Sequence, residues 1–445
     1  MKLLFISLGC DKNLVDSEEM LGILTSAGIE ITNEESEADI IIINTCCFIH
    51  DAKEESVENI LEMSKYKTEG KCKALIVTGC MAQRYKEEIR QEIPEVDAVL
   101  GTSSYADIMI AVENALKGEP FEDFKDINYL PTSSHNRILT TGGHYSYLKI
   151  AEGCDKHCTY CIIPKIRGDF RSVPMEKLLQ QASYLASLGV TEITLVAQET
   201  TMYGVDIYGE KRLHELLEKL CKIDGIHWIR IQYCYPEEIY DDLLRVMKEE
   251  EKICHYLDLP IQHASSKILK RMGRRMDREK LISIISHIRS VLPDIVLRTT
   301  LITGFPGETK EDHEILMDFV RSTGFDRLGV FTYSQEEDTP AASMENQIDE
   351  ETKLQRQDEI MQLQQEIVFE QNQNRIGQRL EVLIEGKVAD ENAYVGRTYG
   401  DAPGVDGLIF VQTSKELMSG DYVWVEVTGA AEYDLIGELE DEFTE

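Results

Sequence analysis

The sequence is short of positive charge. Its 445 residues carry 46 Lys+Arg against 81 Asp+Glu, a formal net charge of −35. Affinity for nucleic acids rests on cationic side chains that displace counterions, so direct nucleic-acid binding is not expected of such a chain. A basic partner would be drawn to it instead. Long apolar runs are also lacking. None reaches the roughly 18 residues of a membrane span. The apolar start, Lys2–Leu8, is too brief for a secretory signal and meets charged residues at once. A second CxxC pair, of the kind that closes a structural zinc site, is missing too. Without a signal segment, the 11 cysteines point to metal chemistry in a reducing, cytoplasmic compartment rather than to disulfides.

Three of those cysteines fall close together, Cys154, Cys158 and Cys161, spaced CxxxCxxC. Thiolates hold iron–sulfur clusters, and a full cage takes four of them. Three leave one iron of a four-iron cluster open to a substrate or cofactor, as catalytic zinc keeps an open position. Zinc and three unrelated thiols are the competing readings, and the missing second pair weighs against zinc. His157 sits beside Cys158 and reads as a loop residue. The spacing resembles that of the radical S-adenosylmethionine enzymes. The resemblance implies a [4Fe–4S] cluster whose open iron chelates S-adenosylmethionine and whose electron releases a 5′-deoxyadenosyl radical. Tyr160 matches the family's aromatic near the adenine.

The chain ahead of this motif alternates strands and helices. Strands are expected at Lys2–Leu8, Asp39–Asn44 and Ala74–Thr78. Helices are expected from an N-cap at Asp16 or Ser17 to Gly28, over Ala52–Tyr66 and over Ala82–Ile93. This pattern means a parallel sheet with helices on its faces. A cysteine follows each strand: Cys10, Cys46 and Cys80, 36 and 34 residues apart. Ligands of open parallel sheets bind at the carboxyl ends of strands, so three neighbouring strands would bring these thiols to one edge as a second three-thiolate site. Cys47 is expected to point elsewhere. Cys72, Cys221, Cys234 and Cys254 read as packing residues, because free cysteine packs like a small hydrophobe.

Residues 120–142 are polar and read as a linker. A strand over Tyr145–Ala151 leads into the CxxxCxxC loop. Five more follow, Glu192–Gln198, Trp228–Tyr233, His255–Ile261, Ile295–Thr303 and Arg327–Tyr333, separated by helices. Six such units fit a partial (βα)6 barrel with chemistry on the loops after its strands. Val196–Thr200, Tyr256–His263, Arg298 and the glycine-bearing Leu301–Glu308 are the candidate cofactor-side segments. Residues 349–374 read as a connecting helix. From Gln378 short strands and glycine turns suggest a small antiparallel barrel of OB-like type.

Three spaced N-terminal cysteines, a radical S-adenosylmethionine barrel and a small C-terminal barrel together resemble the methylthiotransferase family, over essentially the whole chain. The resemblance implies a methylthiotransferase N-terminal domain over 1–125, a radical core over 140–372 and a TRAM domain over 373–445. It implies two [4Fe–4S] clusters, an auxiliary one on Cys10, Cys46 and Cys80 and the radical-generating one on Cys154, Cys158 and Cys161. S-adenosylmethionine would serve as radical source and methyl donor, with Tyr160, Arg298 and Gly304 as its candidate contacts. No catalytic residue beyond the cluster ligands is assigned. The stretch Ser7–Glu18 looks most like the branch that modifies an aspartate of ribosomal protein S-twelve, placing a methylthio group on its β-carbon. Asp11 departs from that branch's usual proline. An electron donor and a sulfur donor are implied as further partners. The alternative branch modifies an adenosine of tRNA, and a non-enzymatic iron–sulfur carrier is the reading from another class. From Gln373 to Glu445 there are five Lys+Arg against sixteen Asp+Glu. That excess suits a basic ribosomal protein better than RNA, with Asp401, Asp406 and Glu416 as expected docking carboxylates.

Overall fold

Runs of β-branched residues build the first sheet. Ile40–Thr45 (IIIINT) and Ala74–Gly79 (ALIVTG) are buried along their whole length, as strands covered on both faces must be. The computed structural model describes residues 1–131 and 137–440, and the chain divides into two compact units. The first comprises Met1–Thr140, Lys149–Val173 and Ser334–Ala342, and the second comprises Thr141–Leu148, Pro174–Tyr333 and Ser343–Glu445.

Among the described residues, the first unit holds a six-stranded parallel sheet. Its order is Glu30–Ile31, Lys2–Ser7, Ile40–Thr45, Ala74–Gly79, Ala98–Leu100, Phe121–Asp123. The three strands that precede Cys10, Cys46 and Cys80 are therefore neighbours. Side chains alternate between two cores, as the two-residue period of a strand requires. Ile40, Ile42 and Ile76 pack with Met20 and Leu24 of Asp11–Ser26 and Val112 of Ile108–Lys117. Ile41, Ile43 and Val77 pack with Ile60 and Met63 of His50–Thr68 and with Met81 and Ile89.

Several expected boundaries shift. The first helix begins at Asp11 with Cys10 as its N-cap, not at Asp16 or Ser17. Asp16 is a buried mid-helix residue, because two cations claim its carboxylate. The helix expected over Ala82–Ile93 is two, Cys80–Arg84 and Lys86–Glu92, broken at Tyr85. Within the expected linker, Phe121–Asp123 is an edge strand, and residues 132–136 lie outside the described residues. The strand expected over Tyr145–Ala151 ends at Lys149, and Ala151–Glu152 pairs with Arg171–Ser172.

In the second unit the sheet runs Arg327–Thr332, Val296–Thr303, Ile253–Asp258, Trp228–Ile231, Glu192–Val196, Tyr145–Lys149, an open six-stranded array. Arg379–Lys387, Ala393–Thr398, Ile409–Gln412, Tyr422–Ala431 and Asp434–Leu439 close a small barrel. It is antiparallel except that Ile409–Gln412 and Asp434–Leu439 pair in parallel. The helix Glu350–Gln373 is more than a connector, for it buries Ile360, Leu363 and Val368.

The small barrel seats on residues at or near the amino-terminal ends of the open array's strands. Trp228, Cys254, Tyr256 and Val296 pack with Leu383 and Ala402. Glu192, fully buried, bonds Arg230 at 2.9 Å and Arg397 at 2.6 Å. Arg327 pairs with Asp401, and Tyr256 donates its hydroxyl to Asp406 at 2.7 Å. Asp401 and Asp406 are thus occupied within the unit and are not the docking carboxylates expected of them; Glu416 is exposed.

Burial pushes the Glu192 carboxyl up, but Arg397 and Arg230 outweigh it and hold it below the usual carboxylate range. Burial likewise opposes Asp401, and Arg327 wins. Carboxyls depressed in the folded state stabilise it above their unfolded values, about pH 4, and lose that contribution as pH falls through the folded ones. Stability should therefore decline below about pH 4. Glu192→Gln should cost about 3–5 kcal/mol, because it leaves Arg230 and Arg397 buried around a neutral group. Chemical denaturation at pH 7 and at pH 3.5 (conditions chosen to bracket that window, roughly) checks both, and Glu192→Gln should flatten the acid loss.

Candidate functional site

Both cysteine triads lie in the first unit. Gly9 and Gly79 precede Cys10 and Cys80 with φ of 90° and 93°, a region that only glycine enters freely. The two strands thus end in the same kind of turn. At Gly9 a Cβ would stand 2.8 Å from the Cys46 Cβ and 3.0 Å from its Sγ. The Cys46 thiol therefore lies against the residue next to Cys10. At Gly79 a Cβ would stand 2.6 Å from the Thr45 carbonyl oxygen, so the turns that carry Cys46 and Cys80 are in contact. Cys10 is exposed, Cys46 half-buried and Cys80 buried.

The thiols feel one another. Burial, then Cys80 and Cys10, push the Cys46 thiol up to about 12. Burial also raises Cys80, while Arg167 works the other way. Cys10 is the N-cap of a 16-residue helix. Cys47 is fully buried in the core that Ile43 and Val77 share, and its carbonyl accepts from Arg84 at 3.3 Å.

One guanidinium organises the floor of this edge. Arg167, 3 % exposed, donates Nε–H to the Cys80 sulfur at 3.4 Å. It donates Nη1 to Asp16 at 2.8 Å and to Glu152 at 3.2 Å, and Nη2 to the Asn13 side-chain oxygen at 2.9 Å. Lys149 also bonds Asp16 and, at 2.9 Å, Glu152. Burial disfavours the charge on Arg167, but Cys80, Glu152 and Asp16 hold it well above its ordinary value. Asn13 donates to the carbonyls of Leu8 and Thr45 at 2.6 and 3.3 Å, tying the first two cysteine turns together.

The CxxxCxxC loop is closed by the ribbon Ala151–Glu152 with Arg171–Ser172. Cys154 donates its N–H to Gly168 at 3.1 Å, and Phe170 donates to Asp155 at 2.9 Å. Cys154 and Cys158 are buried and Cys161 half-buried. Tyr160 is half-buried in the turn between them, and His157 adopts φ 52°. From the far end of the chain, Ala341 donates to the Thr159 carbonyl at 2.8 Å. Glu336, 2 % exposed, accepts from Lys53 at 2.9 Å and Arg84 at 3.1 Å.

Among the described residues, no three Cys, His, Asp or Glu side chains converge as a closed metal cage. The chemistry of the donors nevertheless fits a thiolate-ligated group. Each triad is all sulfur, and the auxiliary one has an N–H donor on Cys80, the kind of outer contact that tunes iron–sulfur centres.

Of the residues expected to touch S-adenosylmethionine, two are engaged elsewhere in the second unit. Arg298 is the third residue of its strand and bonds Asp258 at 3.1 Å and Asp406 at 3.2 Å, a network facing the small barrel. At Gly304 the space a Cβ would take is filled by the Lys353 stem, 2.1 Å away, whose Nζ bonds the Tyr333 carbonyl at 2.9 Å. One expected segment, Tyr256–His263, carries unusual backbone at Gln262, with φ of 70°, and Tyr233, past the neighbouring strand and in no expected segment, has φ of 60°, a strain that clusters at functional sites.

Known proteins bear on this arrangement. Residues 2–101 match an uncharacterized protein family, UPF0004; residues 148–320 match the radical SAM superfamily; residues 376–439 match a TRAM domain. A protein of Lachnoclostridium phytofermentans named ribosomal protein uS12 methylthiotransferase RimO is 64% identical over 440 residues, covering 99% of this chain and 100% of its own. The chain belongs to the RimO family. A RimO of Clostridioides difficile is 48% identical over 439 residues, covering 99% of each chain. Among solved structures, the radical S-adenosylmethionine methyltransferase TsrM of Kitasatospora setae, with cobalamin and a [4Fe–4S] cluster bound, superposes with a TM-score of 0.56. It is 12% identical and covers 76% of each chain, a likeness of fold. No described helix is long and apolar enough to cross a membrane.

The turn geometry makes a prediction that separates neighbours. Gly79→Ala should lower iron uptake, because its Cβ must push back the Thr45 carbonyl beside Cys46. Cys47→Ser should keep the full iron content, since its thiol belongs to the core. Iron per chain after anaerobic reconstitution, with thermal unfolding as a control for folding, checks both.

Proposed function

We propose that this chain, as a RimO family member, is a radical S-adenosylmethionine methylthiotransferase that places a methylthio group on the β-carbon of an aspartate of ribosomal protein S-twelve. The observation that carries the reading is the pair of three-cysteine sets in one compact unit, joined through Arg167, in a chain that aligns end to end with RimO proteins.

Cys154, Cys158 and Cys161 are the residues to hold the cluster that binds S-adenosylmethionine, and Cys10, Cys46 and Cys80 those to hold the second. The two clusters with S-adenosylmethionine would supply hydrogen abstraction, sulfur and methyl. The chain's own part is to hold and shield them. The turns at Gly9 and Gly79 set the thiols at one sheet edge, the Ala151–Ser172 ribbon closes the CxxxCxxC loop, and buried ion pairs keep both in place. Among the expected S-adenosylmethionine contacts, Tyr160 keeps the role its place in the CxxxCxxC turn supports. The acidic surface, with Glu416 and other exposed carboxylates rather than Asp401 and Asp406, suits a basic ribosomal protein. An electron donor and a sulfur donor complete the reaction.

Reconstituted protein should hold about eight irons, from two four-iron clusters. Alanine at Cys154, Cys158 and Cys161 should halve the iron and abolish 5′-deoxyadenosine formation. Alanine at Cys10, Cys46 and Cys80 should halve it too, yet leave cofactor cleavage measurable. Mass spectrometry of S-twelve and of tRNA from cells lacking the gene decides the substrate. An unmodified aspartate in S-twelve is expected; intact S-twelve with loss of a tRNA methylthio group would move the assignment to the alternative branch.

A further inference from the structure

Arg167 is no cysteine, yet its guanidinium donates to the sulfur of one member of the sets. A buried guanidinium needs carboxylates to survive, and Asp16 and Glu152 supply them. Its remaining Nε–H is not spent on oxygen. It reaches the sulfur of Cys80 at 3.4 Å, and Asn13 fixes the plane of the group from the other side through Nη2. The aim is therefore set by three oxygen partners, not by chance contact. Arg167 is also the last residue of the short helix Ile163–Arg167, which starts two residues after Cys161. The side chain that touches one cysteine set is carried by the segment that closes the other.

We propose that Arg167 is a positioning residue that raises the reduction potential of the auxiliary cluster by donating Nε–H to the Cys80 sulfur, from the backbone segment that follows the radical-cluster loop. The inference rests on the reading that Cys10, Cys46 and Cys80 hold that cluster. Reduction adds negative charge to the cluster. An N–H donor and a nearby cation stabilise the reduced form more than the oxidised one, so the potential rises. Lys149 bonds the same two carboxylates but no thiol, so it balances charge without this effect.

The test uses the full chain with Cys154, Cys158 and Cys161 changed to alanine, so that one cluster remains. Iron content should be about four per chain. The potential is read by a dye-mediated redox titration followed by electron paramagnetic resonance. Arg167→Gln should lower it and shift the resonance of the reduced cluster. Arg167→Lys, which keeps the charge but not the directed Nε–H, should fall between. If Arg167→Gln loses its iron, the same comparison is made between Glu152→Gln and the double change Glu152→Gln with Arg167→Gln, which removes a carboxylate together with the guanidinium. Full iron with an unchanged potential and spectrum overturns the inference. A parent protein that binds no iron overturns the ligand reading first, and the two failures are distinct. A purely structural role for Arg167 would change stability and leave the potential of the folded protein where it was.

Discussion

The first unit depends on one buried ion cluster. Arg167 and Lys149 face Asp16 and Glu152 in a region closed to water. Two cations against two carboxylates keep the group near neutral, which is what allows it to be buried at all. Three pieces of chain meet there, the first of them far from the other two in sequence. Asp16 comes from the first helix, Glu152 and Lys149 from the entry to the CxxxCxxC loop, and Arg167 from its exit. The cluster ties the first helix to both ends of the CxxxCxxC loop. The glycine turns and the Asn13 bonds refine the cysteine positions, but they act on a frame that this cluster holds.

The second unit uses the same device for a different end. Glu192 with Arg397 and Arg327 with Asp401 form buried pairs between the open array and the small barrel, and Arg230 joins Glu192 from within the array. Two of the sixteen acidic residues counted in the C-terminal segment, Asp401 and Asp406, are therefore matched by arginines of the array, Arg327 and Arg298, and do not face solvent. The net charge of a stretch of sequence is a poor guide to its surface when part of that charge is spent inside. The acidic character of the whole chain survives this correction, since the helices and loops still carry many exposed Glu and Asp.

Two simple periods single out six of the cysteines in the sequence. CxxxCxxC is a local spacing, and the 36- and 34-residue separations mark one strand–helix unit each. The sheet order confirms that the three strands are neighbours. Short strands such as Glu30–Ile31 and Ala98–Leu100 were not legible, since two or three residues carry no alternation. Asp16 misled for a physical reason. A residue type that caps helices also pairs with buried arginine, and only the partner tells which. Arg167 itself has a weak signal, an arginine between Ile166 and Gly168, and its partner cysteine lies 87 residues upstream. Arg298 and Gly304 have packing and ion-pair partners of their own, which a strand arginine and a loop glycine in a sequence do not reveal.

The first unit is discontinuous, and that has a consequence for how the protein is made. Domains tend to fold from the amino terminus as they are synthesised, at about 5–20 residues per second. The sheet that carries Cys10, Cys46 and Cys80 can form early. Arg167, Glu152 and the CxxxCxxC loop reach it only after a further stretch of chain has emerged. Ser334–Ala342, whose Glu336 ties Lys53 and Arg84 and whose Ala341 bonds the loop at Thr159, arrives last of all. Until those segments emerge, Cys10, Cys46 and Cys80 stand at a more open sheet edge than in the finished unit. The thiols at that edge are open to oxidants for as long as the later segments are missing, so the order of synthesis sets how long they stay reactive.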